Sequence, residues 1–118
     1  VPISRLADCL VETVADADAD GLPYYLVGHV GDGNFHMGYM IHPDRPDDFH
    51  RAEALNHRLV ARALAMDGTC TGEHGIGLHK QGFLLDEAGL DTVALMRSVK
   101  QALDPKNILN PGKIFAAV

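Results

Sequence analysis

The residues best suited to chemistry are gathered in two glycine-bracketed clusters. The first runs Gly28-His29-Val30-Gly31-Asp32-Gly33-Asn34-Phe35-His36, and the second Gly72-Glu73-His74-Gly75-Ile76-Gly77. Glycine permits positive φ or close approach of the backbone to another group. Repeating its conformational cost around titratable side chains points to a bound ligand or a forced turn. His29 and His36 are separated by an odd number of positions, which on one straight strand would send them to opposite faces. A chain reversal at Asp32-Gly33 removes that objection and lets both imidazoles aim at one point. The plain alternative is a glycine-rich hairpin with two surface histidines. Gly28, Gly31 and Gly33 are not a dinucleotide fingerprint, because a strand pattern follows them and no helix N-terminus is there to hold a pyrophosphate.

The second cluster contributes Glu73 and His74. An isolated Glu-His pair in a loop is ordinarily solvated surface, but here two similar loops follow two strand regions and are joined by one helix. Together they offer two imidazoles and one carboxylate, a set suited to Zn²⁺ with an open position for water or substrate. Fe²⁺ and Mn²⁺ accept the same set, so ligand type does not choose the metal. An open position allows a hydroxyl to be polarised or a carboxylate to be bound. His74 is expected to point away from its neighbour Glu73 and to act as general base, since an imidazole changes charge close to working pH. His42, His50, His57 and His79 read as ordinary structural or surface histidines. Lys80 reads as solvent-facing, although its charge stands near enough in sequence to neutralise an anion.

Several elements must position these loops. A first helix is expected from an N-cap at Ser4, with Leu6, Cys9, Leu10, Thr13 and Val14 on its stripe. It should fade in the acidic run from Ala15 to Asp20 and stop at Gly21 and Pro23. Tyr24 to Val27 and Phe35 to Ile41 read as strands of an antiparallel hairpin. Pro46, with Asp44, Asp47 and Asp48, begins a long helix whose buried face carries Ala52, Leu55, Leu59, Val60, Ala63 and Met66, with Gly68 ending it. Thr69 to Thr71 reads as a third short strand. A short helical stretch near Leu78 to Leu85 and a last helix from Asp91 to Leu103 follow, the latter broken at Asp104-Pro105. The fold class is therefore α+β: a small antiparallel sheet backed by helices.

A chain of 118 residues is one domain by length. Ten basic against sixteen acidic residues give a net charge of -6, which argues against a nucleic-acid partner. An anionic substrate would need local positive charge, such as a metal, against that field. Cys9 and Cys70 are too few and too far apart for a disulfide framework, and read as buried thiols of a reducing, cytoplasmic compartment. No apolar run reaches the length of a membrane span. The first residue is Val rather than Met, so the chain is expected to be a piece of a longer protein.

The two clusters, together with the ending Asn110-Pro111-Gly112-Lys113-Ile114-Phe115, resemble the C-terminal domain of the FAD-linked oxidases of the vanillyl-alcohol-oxidase superfamily. The resemblance covers nearly the whole chain. It implies that residues 1–118 are part of a ferredoxin-like substrate (cap) domain, with the N-terminal FAD-binding domain lying outside this sequence. It implies His29, His36 and Glu73 as ligands of a divalent metal, usually zinc. His74 would take the proton of the substrate hydroxyl while hydride leaves to the FAD, Asn34 would lie by the substrate, and Asn110 would approach the flavin. The substrate would be a D-2-hydroxy acid of the lactate, glycolate or 2-hydroxyglutarate type. The electron acceptor would be a protein or quinone, reached at a membrane periphery. This piece alone should not turn over, and its exposed sheet edge should favour association between copies. Two other classes stay open from the residues themselves: a stand-alone metallohydrolase, and a non-catalytic metal-binding module.

Overall fold

The computed structural model of the chain describes residues 1–115 and forms two compact units, Val1–Thr69 and a second from Cys70 onward. Three helices and a two-stranded antiparallel sheet make up the α+β fold.

In the first unit, α1 (Ile3–Asp20) buries Leu6, Cys9, Thr13 and Ala17, one stripe at helical spacing. The stripe is rotated from the expected one. Leu10 and Val14 are only partly buried and, with Val11, Ala15 and Leu26, line an open apolar groove of about 360 Å³. Ser4 is not the cap: the helix begins after Pro2 without a side-chain cap. Nor does the helix fade in its acidic run, because a partner helix neutralises that run.

That partner is α2 (Pro46–Ala65), which starts with Pro at its first turn and Asp47 and Asp48 at the positive end of the dipole. Its arginines meet the carboxylates of α1 in a ladder. Arg51 reaches Asp20 at 2.6 Å and also the Asp20 carbonyl at 2.8 Å, Arg58 reaches Asp16 at 2.9 Å, and Arg62 reaches Glu12 at 3.2 Å and the Thr13 hydroxyl at 3.0 Å. Arg51 thus both pairs with a charge and occupies a carbonyl that α1 leaves unbonded at its end. The buried Asp48 accepts the His42 N–H at 3.1 Å and tethers the approach to α2. The helix closes at Asp67 rather than at Gly68. Asp67 takes φ 59°, its N–H bonding to the Leu64 carbonyl at 3.1 Å and that of Gly68 to the Ala63 carbonyl at 2.8 Å, which is a Schellman ending.

Between the helices runs the hairpin of β1 (Tyr24–His29) and β2 (Asn34–Tyr39), joined by a single 3-10 turn at Val30–Asp32. One hairpin face is apolar: Tyr24, Met37 and Tyr39 pack on the core of Ala17, Leu22 and Leu55.

In the second unit, residues 69–71 do not form the expected third strand. The Cys70 N–H donates instead to the Glu87 carboxylate at 2.9 Å, so a side chain takes the place of a ladder partner. α3 (Gln81–Leu103) contains a non-helical joint at Gly89, φ 77° and ψ 163°. That joint separates the two helical stretches expected from the sequence, the first starting three residues later than Leu78. Buried Asp104 ends α3 by accepting the N–H groups of Ile108 and Leu109 at 3.0 and 2.9 Å and pairing with Lys100.

Two stability outcomes follow for the first unit. Leu55, 1% exposed, sits where a Leu→Ala cavity costs about 2–5 kcal/mol. Leu55→Ala is therefore expected to lower the urea midpoint with an unchanged m-value. Arg58 holds the Asp16 carboxyl below its usual range, chiefly by hydrogen bonding. A lowered folded pKa contributes stability above the unfolded value, near 3.9 in free side chains, and loses it as pH falls through the folded value. Asp16→Asn should accordingly weaken the unit at neutral pH and flatten its acid unfolding limb below about pH 4.

Candidate metal and substrate site

The first cluster is positioned by the register of the hairpin. Tyr25 pairs with Gly38, Val27 with His36, and His29 with Asn34. Directly opposed residues of an antiparallel pair project to the same face, as do residues two apart on one strand. His29, Asn34, His36 and Val27 therefore share the face opposite the helices. The reversal that the spacing required is present. The 3-10 turn consumes three residues, and Gly33 then takes φ 72° and donates to the Val30 carbonyl at 3.2 Å. A Cβ at Gly33 would stand 2.0 Å from the Val1 carbonyl oxygen, so the turn is closed to larger residues by space as well as by conformation.

The two imidazoles meet edge to face, ring centroids 6.3 Å apart at 89°. A ring nitrogen of each lies within 4.8 Å of one from the other. A tetrahedral ion bound at roughly 2.0–2.1 Å to two imidazoles holds their nitrogens a little over 3 Å apart. The pair thus fits a shared ion after a small rotation of the rings, and neutral imidazole is a donor that zinc and iron both accept. Asn34 is half-buried on this face and paired with His29, next to the position such an ion would take.

The second cluster is a loop in which Gly72, Gly75 and Gly77 take φ 55°, 73° and 55°. Glu73 and His74 stand exposed on it, and their side chains do not diverge as expected: His74 Nε2 is 3.7 Å from Glu73 Oε1. The loop is held from both sides. The Lys80 ammonium donates to the Thr71 carbonyl at 3.4 Å, so this lysine ties the loop rather than facing only solvent. The Ile114 N–H donates to the Gly77 carbonyl at 2.8 Å, and Gln81 Nε2 to the Gly112 carbonyl at 2.8 Å. Gln81 and Lys80 are supports that sequence reasoning missed, since nothing in their types distinguishes a tether from a surface polar residue. Asn110 is exposed with φ 46°, its carbonyl accepting the Lys113 N–H at 3.3 Å, which makes the turn expected of Asn-Pro-Gly-Lys.

The remaining histidines behave as structural expectation has it. His42 Nδ1 accepts the Asp44 N–H at 3.2 Å, and His50 lies 3.8 Å from Glu53. His57 and His79 are exposed. Both cysteines are buried and free of disulfides.

Residues 1–114 match the family of FAD linked oxidases, C-terminal domain, and the chain belongs to that family. It is 51% identical to a mitochondrial D-lactate dehydrogenase [cytochrome] of Kluyveromyces lactis and 46% identical to the corresponding protein 1 of Saccharomyces cerevisiae, each over 98% of this chain and 19% of the relative. A D-2-hydroxyglutarate dehydrogenase of Xanthomonas citri pv. viticola is 41% identical, over 98% of this chain and 25% of its own length. The chain thus spans about a fifth to a quarter of these relatives. The names of the two yeast relatives say mitochondrial and lend no support to the expected cytoplasmic placement. Among the described residues, no helix is long and apolar enough to cross a membrane.

One local property has a direct test. Burial, with the Glu87 carboxylate next in effect, pushes the Cys70 thiol up to about 11. The thiolate is the reactive form. Alkylation of Cys70 by iodoacetamide at pH 8 should be far slower than that of an unfolded control and should accelerate sharply on denaturation, followed by peptide mass spectrometry.

Proposed function

We propose that this chain is the substrate- and metal-binding part of a FAD-dependent dehydrogenase that oxidises a D-2-hydroxy acid to the 2-oxo acid. The observation that carries the reading is the hairpin register, which puts His29, His36 and Asn34 on one face. Family membership supports it, as do relatives named for D-lactate and D-2-hydroxyglutarate. Neither the hydrolase nor the non-catalytic module gains comparable support.

In this reading His29, His36 and Glu73 would hold a divalent ion, zinc being the first choice. When bound, the ion supplies Lewis acidity toward the substrate hydroxyl and carboxylate, and the flavin supplies the electron sink. Asn34 orients the substrate by hydrogen bonding through its amide. His74 accepts the hydroxyl proton as the α-hydrogen departs as hydride, so that no free alkoxide has to form. The second loop must hold His74 at a fixed place, and the tethers from Lys80, Gln81 and Ile114 serve that end. Asn110, on the turn near those tethers, is assigned to the flavin side. An electron acceptor, protein or quinone, reoxidises the flavin.

The test uses the full-length protein. His29→Ala, His36→Ala and Glu73→Ala are each expected to lose most of the bound metal, measured by elemental mass spectrometry. His74→Ala should keep metal and flavin while turnover of 2-hydroxy acids falls about 10²–10⁴-fold, the usual worth of a general base. Equal metal content in the wild type and all three ligand variants would sink the ligand assignment. Undiminished turnover in His74→Ala would place the base elsewhere.

A further inference from the structure

The face that carries the imidazoles has a third rung beyond His36, occupied by Tyr25 and Gly38. The Tyr25 ring lies across Gly38 so closely that a Cβ there would stand 2.2 Å from Cζ, 2.3 Å from Cε1 and 2.5 Å from the hydroxyl oxygen. Position 38 can bear no side chain while the ring keeps this place. Tyr25 and Val27 are each 53% exposed, and both stand on the imidazole face rather than the core face. Single exposed apolar residues are common and need no role. These two are consecutive on one face, Val27 directly across from His36 and Tyr25 one rung further from the turn, and are accompanied by a glycine that leaves the ring room.

We infer that Tyr25 and Val27 form the wall that receives the side chain of the 2-hydroxy acid, and that their bulk selects a short apolar side chain over a long one. The inference rests on the function proposed above and narrows its substrate class. A substrate anchored by its hydroxyl and carboxylate near His29 and His36 extends its remaining substituent along this face. In one direction the face ends at the 3-10 turn, and in the other it meets Val27 and then the Tyr25 ring. A methyl group gains apolar contact there. A longer substituent runs instead into the Tyr25 ring, which lies close over Gly38. One methylene more or less in such a pocket changes specificity roughly 10–200-fold.

The experiment compares kcat/KM of the full-length enzyme for D-lactate and for D-2-hydroxyvalerate, together with dissociation constants of pyruvate and 2-oxovalerate read from flavin absorbance. Tyr25→Ala should raise the valerate-to-lactate ratio of kcat/KM tenfold or more and tighten 2-oxovalerate relative to pyruvate. Tyr25→Phe, which keeps the ring, should leave both ratios near wild type. Gly38→Ala, which forces the ring aside from the opposite strand, should shift them in the same direction as Tyr25→Ala. Unchanged ratios in Tyr25→Ala and Gly38→Ala, in enzyme that still oxidises D-lactate, overturn the wall even if Tm falls, and leave the ring as a cover for the glycine. If wild-type enzyme oxidises no 2-hydroxy acid, the function itself is wrong and this inference falls with it.

Discussion

The pairing register of the hairpin is the constraint on which the site depends. Shifting β2 by one residue against β1 would exchange its two faces. His36 would turn toward the helices, and Met37 and Tyr39 would leave the core of Ala17, Leu22 and Leu55. Register and core are therefore one decision: the apolar set on one face fixes which histidines appear on the other. The turn adds a second lock, because Gly33 is in the left-handed region and has a carbonyl oxygen where a side chain would be. A histidine pair placed this way is held by the burial of other residues, which need no knowledge of the ligand.

The helices perform a different task with charge. α1 would be a poor helix alone in its last turns, being rich in Asp with no basic residue there, where the negative end of the dipole disfavours acids. Arg51, Arg58 and Arg62 of α2 answer those carboxylates in sequence. Each exposed rung contributes about 1 kcal/mol or less. Arg62 also lies 3.4 Å from Asp16, so adjacent rungs share a carboxylate.

How much of this is legible in the sequence depends on whether a signal is local. The helix of Pro46 to Ala65 is announced by proline, acids and a period of apolar residues, all within its own segment, and it starts where expected. The hairpin and the shared face of His29 and His36 also follow from local glycines and odd spacing. α1 stops at Gly21 as expected, but its persistence through the acidic run is missed because its support lies on another helix, some thirty residues on. The strand expected at Thr69 to Thr71 is missed for the same reason in reverse: residue types favour it, but Cys70 bonds to the Glu87 side chain instead. Helix closure at Asp67 rather than Gly68 is a third case. Gly68 is needed for space, a Cβ there meeting the Ala63 carbonyl oxygen at 2.7 Å, while aspartate tolerates the left-handed turn. In the candidate site, the convergence of the two imidazoles is legible and the tethers of the second loop are not.

The same charge ladder bears on the chemistry. A 2-hydroxy acid is an anion, and this chain is acidic by six charges. Among the described residues, its most ordered cations are committed elsewhere. Arg51, Arg58 and Arg62 face α1, Lys100 pairs with Asp104, and Lys80 bonds a backbone carbonyl. The hairpin face itself presents imidazoles, an amide and apolar groups, none of them a fixed cation. Binding the substrate's carboxylate there at useful affinity thus requires positive charge that the hairpin does not carry in its own side chains. A divalent ion between His29 and His36 would supply it at the place where the hydroxyl must also be acidified, so one group would answer both the affinity and the reactivity. Basic side chains from elsewhere in the longer protein could meet the first need. Only a group within reach of the hydroxyl oxygen meets the second, which is the argument, within the function proposed above, for a metal rather than an added arginine.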